Sequence, residues 1–333
     1  MKRIPSLDGL RAISVSLVLI GHLARSGRTP RFLAVYAYSG VLMFFVISGY
    51  LITTILLNEH IRTSAINLRE FYVRRAYRIL PAAGVFMAFA TVRYWHEMRW
   101  VDIGAMFLYL VNYDGGAPWM IGHLWSLGVE EQFYILWPSA LRKWYRRRVF
   151  VLLAVIVATP IYCALCYHFK FAGGGGDTFP AVANILATGC LLAIYATRIP
   201  KISRWGALAM LAAVILIPYF PAISPLRTLF RLFVLNPILN FSMAGLLLHA
   251  VRAQYRFLNI APIVWLGQIS YSLYLWQQPF FFAPARQPAY RLGLGVVLAC
   301  LSYYLVEKPV LALREKRNAP RSSAAMGESV KVV

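Results

Sequence analysis

Apolar runs separated by short basic stretches fill the chain from end to end. Runs of the length that crosses a hydrocarbon core of about 30 Å as a helix lie at residues 8–24, 34–57, 79–95, 121–141, 149–168, 180–196, 205–220, 229–250, 261–283 and 291–307. One further run, IGAMFLYLV at 103–111, is too short to cross and reads as a re-entrant or interfacial piece. The pattern predicts an all-α polytopic membrane protein of about ten transmembrane helices. Residues 1–313 form one membrane-integral unit, and the polar Ser/Ala-rich stretch at 314–333 is expected to be a short disordered cytoplasmic tail. The basic start followed by Arg11 and His22, with no small-residue cleavage site, argues for a retained N-terminus.

The basic residues orient these spans. With the N-terminus inside, 23 of the 34 Lys and Arg fall on the cytoplasmic side and 10 on the other, so both termini are expected in the cytoplasm. Counting 103–111 as a crossing would move the RKWYRRR block at 142–148 outside, which is a second argument against it. Composition agrees: 60% of residues are apolar, 14% are charged and the mean hydropathy is +0.61. A net charge of +22 would suggest nucleic acid in a soluble protein, but basic loops held against anionic lipid account for it here, and no nucleic-acid partner is expected. Cys163, Cys166, Cys190 and Cys300 all lie in apolar spans, which disfavours a disulfide framework or a metal site. The GGGG at 173–176 has no following Lys-Ser/Thr and reads as a flexible loop.

Ionisable groups inside spans are costly and usually face a cavity or a partner. Arg11 and His22 are eleven residues apart, about 20° from one helical face and about 16.5 Å apart along it. They could line one polar path, or be two unrelated ends, one snorkelling and one wetted. In HLWSLGVEEQFY (123–134), His123, Ser126 and Glu130 share a face, while Glu131 is rotated by about 100°. One glutamate can then serve a cavity while the other braces the helices, or both can pair with arginines. Arg74, Arg75 and Arg78 sit at the mouth of the third span, where guanidinium groups suit either a cofactor's phosphates or lipid headgroups.

Together these residues resemble the acyltransferase-3 family of membrane-integral O-acyltransferases of bacterial surface sugars and related acceptors. The resemblance is carried by LDGLRAISVSLVLIGH (7–22), GVLMFFVISGYLIT (40–53), the RRxxR of Arg74, Arg75 and Arg78, WSLGVEEQFYILWP (125–138), and ISYSLYLW followed by YYLVEKP. It implies a multi-pass protein of the bacterial inner membrane. The implied reaction carries an acyl group, commonly acetyl, from cytoplasmic acyl-CoA to a hydroxyl of a carbohydrate or lipid-linked acceptor on the other side. No cofactor is permanently bound in that scheme; acyl-CoA is a co-substrate. By the same resemblance His22 is the catalytic histidine, Arg11 its partner in the motif, and Arg74, Arg75 and Arg78 the donor-binding cluster.

The chain departs from the family in having Gln277 in LWQQP, where a His is frequent. Some members also carry an extracytoplasmic esterase-like domain, so a separate transferase partner is expected if a second transfer step exists. As chemistry, His22 is the expected base, and Glu130 its orienting carboxylate. His123, Ser126, Glu131, Gln132 and Tyr134 are supporting residues, and the two glutamates could exchange roles. Two other readings stay open: a transporter or flippase using the same buried charges, and an acyltransferase acting on a small molecule.

Overall fold

Each apolar run closes its own backbone hydrogen bonds as a helix, the solution that hydrocarbon favours. A computed structural model describes residues 4–171, 176–220, 224–281 and 290–318; the glycines at 173–175 and the tail beyond residue 318 lie outside the described residues. Among the described residues there is no strand. The longer helices are α1 (Pro5–Arg25), α2 (Tyr36–Thr63) and α3 (Leu68–Arg93). A short α4 (Trp100–Phe107) and a single turn, α5 (Trp119–Gly122), lead to α6 (Leu124–Lys143), followed by α7 (Arg148–Phe169), α8 (Phe179–Tyr195) and α9 (Arg204–Leu216). A short α10 (Pro225–Phe230) continues through a π-helical turn at Arg231–Leu235 into α11 (Asn236–Ala253). The chain then forms α12 (Ala261–Phe281), α13 (Tyr290–Leu301), a second π-helical turn at Ser302–Glu307, and α14 (Lys308–Asn318).

Among the described residues, helix runs through most of each segment singled out by hydropathy; residues 282–283 lie outside them. Five helical stretches among the described residues are long and apolar enough to cross a membrane: Pro5–Arg25, Arg31–Thr63, Tyr145–Phe169, Pro225–Ala253 and Tyr290–Arg314. The chain is therefore an all-helical membrane protein. The 103–111 segment is part of α4 and the turn that follows it, and eight helical residues rise only about 12 Å. The α4 start is fixed by a capping box in which the Arg99 N–H donates to Asp102 at 2.6 Å.

Two close helix contacts set the register on which the site depends. α1 packs most extensively on α12 and α2, and α2 on α8. At Gly267 of α12 a Cβ would overlap the Asp8 carbonyl, and at Gly40 of α2 it would overlap the Ser14 carbonyl. Small residues let backbones approach in this way where lipid supplies no hydrophobic drive. Asp8 lies beside Gly267 and His22 beside Gln277, so α1 and α12 run parallel with their polar residues in step.

Candidate active site

Two cavities with a shared wall lie along α1. Near its N-terminal end is a narrow cavity of about 90 Å³, lined by Arg11, Arg75, Arg78, Ser126, Glu130 and Tyr134 among others. Near its C-terminal end is a chamber of about 200 Å³ whose walls include His22, His123, Trp125, Tyr274 and Gln278. Val41 and Tyr274 belong to both. The Tyr274 hydroxyl lies 2.6 Å from Ser126 Oγ and donates to the His123 carbonyl at 3.1 Å, so it ties α12 to α6 at the boundary.

In the chamber, His22 Nδ1 is 2.5 Å from Gln277 Oε1. An amide oxygen only accepts, so Nδ1 carries the proton and the basic lone pair is on Nε2. His123 has the opposite tautomer: Nε2–H donates to the Leu275 carbonyl at 2.9 Å, and buried Nδ1 has no partner. That carbonyl is free because Pro279, four residues on, has no N–H to return to it. The LWQQP segment therefore does two things. Its proline releases an acceptor for one histidine, and its first glutamine orients the other.

The arginine cavity corrects the expected cluster. Arg75 and Arg78, three apart, share a helical face and line it with Arg11. Arg74 is rotated by about 100° from Arg75. It pairs instead with Glu59 of α2 at 3.4 Å and Glu70 at 3.6 Å, so it joins α2 to α3 outside the cavity. The Arg75 guanidinium stacks over the Tyr134 ring at 3.8 Å, and Arg11 reaches Asp8 at 3.4 Å.

Glu130 is also corrected. It accepts from Ser48 Oγ at 2.8 Å and Tyr134 Oη at 2.9 Å on the wall of the arginine cavity, and Gln277, not Glu130, orients His22. Seven residues nearly repeat a helical face but rise about 10.5 Å, so Glu130 shares a face with His123 without sharing its depth. Glu131 makes no hydrogen bond to a described residue through its buried Oε1, and Arg75 of α3 is its opposing charge. Gln132 faces elsewhere, donating to the Tyr109 carbonyl at 3.2 Å and Asn112 Oδ1 at 3.0 Å, which holds the connection after α4 against α6. Tyr134 and Ser126 do support the cavities, through Glu130 and Tyr274.

The sequence reading missed Gln277 as the partner of His22, and with it Tyr274, Ser48 and Pro279. The signal for Gln277 was its place in LWQQP, where the resembling family frequently has a histidine.

The family model described as an acyltransferase domain matches residues 4–305. The chain belongs to the acyltransferase-3 family. It is similar to peptidoglycan O-acetyltransferase OatA of Listeria monocytogenes, at 29% identity over 93% of this chain and 56% of that protein. It is likewise similar to O-acetyltransferase OatA of Staphylococcus aureus, at 29% identity over 92% of this chain and 57% of that protein. The chain thus spans a little over half the length of these relatives. No solved structure matches it significantly. In this acyltransferase-3 chain the family motifs converge on the two cavities: the α1 motif supplies Arg11 and His22, the RRxxR motif Arg75 and Arg78, and the α6 motif Ser126 and Glu130.

Proposed function

We propose that this protein transfers an acyl group, acetyl by default, from cytoplasmic acyl-CoA to a hydroxyl of an extracytoplasmic saccharide. The proposal includes ten membrane crossings with both termini cytoplasmic, in a bacterial inner membrane. The observation that carries it is the shared wall between the arginine cavity and the histidine chamber at opposite ends of α1. Arg11, Arg75 and Arg78 supply the cations that an anionic donor requires. A cavity of about 90 Å³ is too narrow for a nucleotide but suits a slender thioester arm. The nucleotide phosphates of acyl-CoA would stay at the arginine mouth while its arm reaches toward Tyr274.

In the chamber, His22 Nε2 takes the proton of the acceptor hydroxyl. As that oxygen attacks the thioester carbonyl, a C–O bond forms, the C–S bond breaks, and the proton passes to the departing CoA thiolate. Gln277 keeps His22 in the tautomer that this requires, in the way a carboxylate does in a catalytic triad, but without its charge. The names of the relatives make peptidoglycan glycan the leading acceptor class. A separate extracytoplasmic partner completes the reaction if a second transfer is needed.

The test is release of CoA and labelling of peptidoglycan fragments by protein in sealed vesicles given radiolabelled acetyl-CoA on the cytoplasmic face. Labelled product from wild type, lost in a folded His22→Ala variant, supports the reading. Transport of a saccharide or lipid with no CoA release would replace it with a transporter.

A further inference from the structure

A third cavity, of about 400 Å³, adjoins the histidine chamber, with Arg25 and Tyr38 on the walls of both. Its volume falls in the range of small-molecule sites, roughly 300–1,000 Å³. Its wall is built from the C-terminal end of α1, the start of α2, the second half of α7 and the starts of α8 and α11. Its polar lining includes Arg25, Tyr38, Asn184, Arg231, Asn236 and Asn240, with Ser39 and Thr159 beside them; no carboxylate is among the described lining residues, and Asp177 lies on the wall of the adjoining chamber.

Three independent features point to a ligand. Asn184 and Asn240 are 9% and 5% exposed, and their side-chain amides make no hydrogen bond to any described residue. An amide that faces a cavity offers two donors and an acceptor to whatever fills it. Next, Arg231 opens the π-helical turn at Arg231–Leu235, a widening that recurs at functional sites, and one of its Nη groups is anchored on the Phe220 carbonyl at 3.1 Å. Finally, Tyr38 is stacked on Trp125 of the histidine chamber, with ring centroids 6.0 Å apart, which gives the opening between the two spaces an aromatic edge.

We propose that this outer cavity is the acceptor site, an assignment that rests on the acyl-transfer reading above, and that it takes a saccharide unit bearing amide and hydroxyl groups and one carboxylate. Asn184, Asn236 and Asn240 meet the hydroxyl and acetamido groups. Arg231 meets the carboxylate, a planar group its fork matches, while Arg25 already faces the Asp177 carboxylate on the chamber side. A hydroxyl of the bound unit then extends past Tyr38 to His22. The chain itself thereby selects its saccharide, upstream of any partner.

Full-length protein in lipid nanodiscs is titrated, by ligand-observed NMR, with a soluble glycan fragment of alternating N-acetylglucosamine and N-acetylmuramic acid. A carboxyl-reduced fragment serves as the second probe. Wild type should bind the native fragment about 10- to 100-fold more tightly than the reduced one, the range for a charge-assisted hydrogen bond. Arg231→Ala should lose that preference and Arg231→Lys keep only part of it, whereas Arg78→Ala should weaken acyl-CoA binding about tenfold or more and retain the preference. Equal binding of the two fragments by wild type, or an unchanged preference in correctly assembled Arg231→Ala, overturns the acceptor site. Because binding is read without turnover, a wild type that binds the fragment but releases no CoA from acetyl-CoA would refute the acyl-transfer reading separately.

Discussion

Replacing Gln277 with leucine isolates the orientation of His22 from its basicity. Gln277 is 0% exposed, and its Oε1 lies 2.5 Å from His22 Nδ1, so leucine keeps the approximate volume and removes the only acceptor the amide offers. Leaving the imidazole N–H unsatisfied costs about 1–3 kcal/mol, and the ring relieves that cost by turning or by changing tautomer. Either response misplaces the basic lone pair. At about 1.4 kcal/mol per decade, that corresponds to a fall in kcat of roughly 10- to 100-fold. The loss should stop well short of the ~10⁴-fold that follows removal of a buried carboxylate partner, because a neutral amide positions the ring without stabilising an imidazolium. Gln277→Glu restores an acceptor and should recover part of the rate. The assay is CoA release coupled to acceptor labelling, with KM for both substrates and detergent melting temperature measured alongside. A folded Gln277→Leu protein with kcat within twofold of wild type, in a system where His22→Ala is inactive, would refute the assignment.

Arg75→Ala and Arg78→Ala should each raise KM for acyl-CoA about tenfold or more, while Arg74→Ala leaves it unchanged and lowers stability by at most about 1 kcal/mol, since its partly exposed ion pairs are screened. Steady-state kinetics on the three variants separates the cavity arginines from the bracing one. Gly267→Ala drives a methyl group into the Asp8 carbonyl and should destabilise the α1–α12 contact by about 1–3 kcal/mol, read as a lower melting temperature. Pro279→Ala restores an N–H that competes with His123 for the Leu275 carbonyl, so kcat should fall while acyl-CoA KM holds. Outside the spans, burial pushes the Asp102 carboxyl up, but the hydrogen bonds from Arg99 outweigh it and hold the group below its ordinary value. The stability this contributes is present above about pH 4 and is lost as pH falls through the depressed folded value. Melting of Asp102→Asn should therefore depend less on pH than wild type below pH 4, and identical pH dependence would exclude this linkage.

The all-helical character of the chain was legible in the sequence because in a bilayer each span must satisfy its own backbone, and hydropathy reads that requirement directly; five helical stretches among the described residues meet the length and hydropathy of a crossing. The motif residues were legible too: Arg11, His22, Arg75, Arg78 and Ser126 all reach the two cavities. Helical spacing gives faces, but in sequence the arginines read as one cluster, and only the structure separates Arg75 and Arg78 on the cavity wall from Arg74. What spacing could not supply was depth across helices or the identity of a partner on another helix. Glu130 and His22 lie on different helices, and only the packing of α1, α6 and α12 places one in the arginine cavity and the other in the histidine chamber. Arg74 illustrates the same limit, because its neighbour in sequence faces the cavity while it turns to Glu59 of α2. Gln277 became the partner of His22 through the close approach of Gly267 to Asp8, a contact between residues 259 positions apart that fixes two parallel helices in register. The sequence by itself determined which segments are helices and which polar residues are buried in them, since burial of backbone and charge is a local cost. The tertiary structure alone decided which of those residues meet, since that depends on the relative height and rotation of helices whose contacts are distant in the chain.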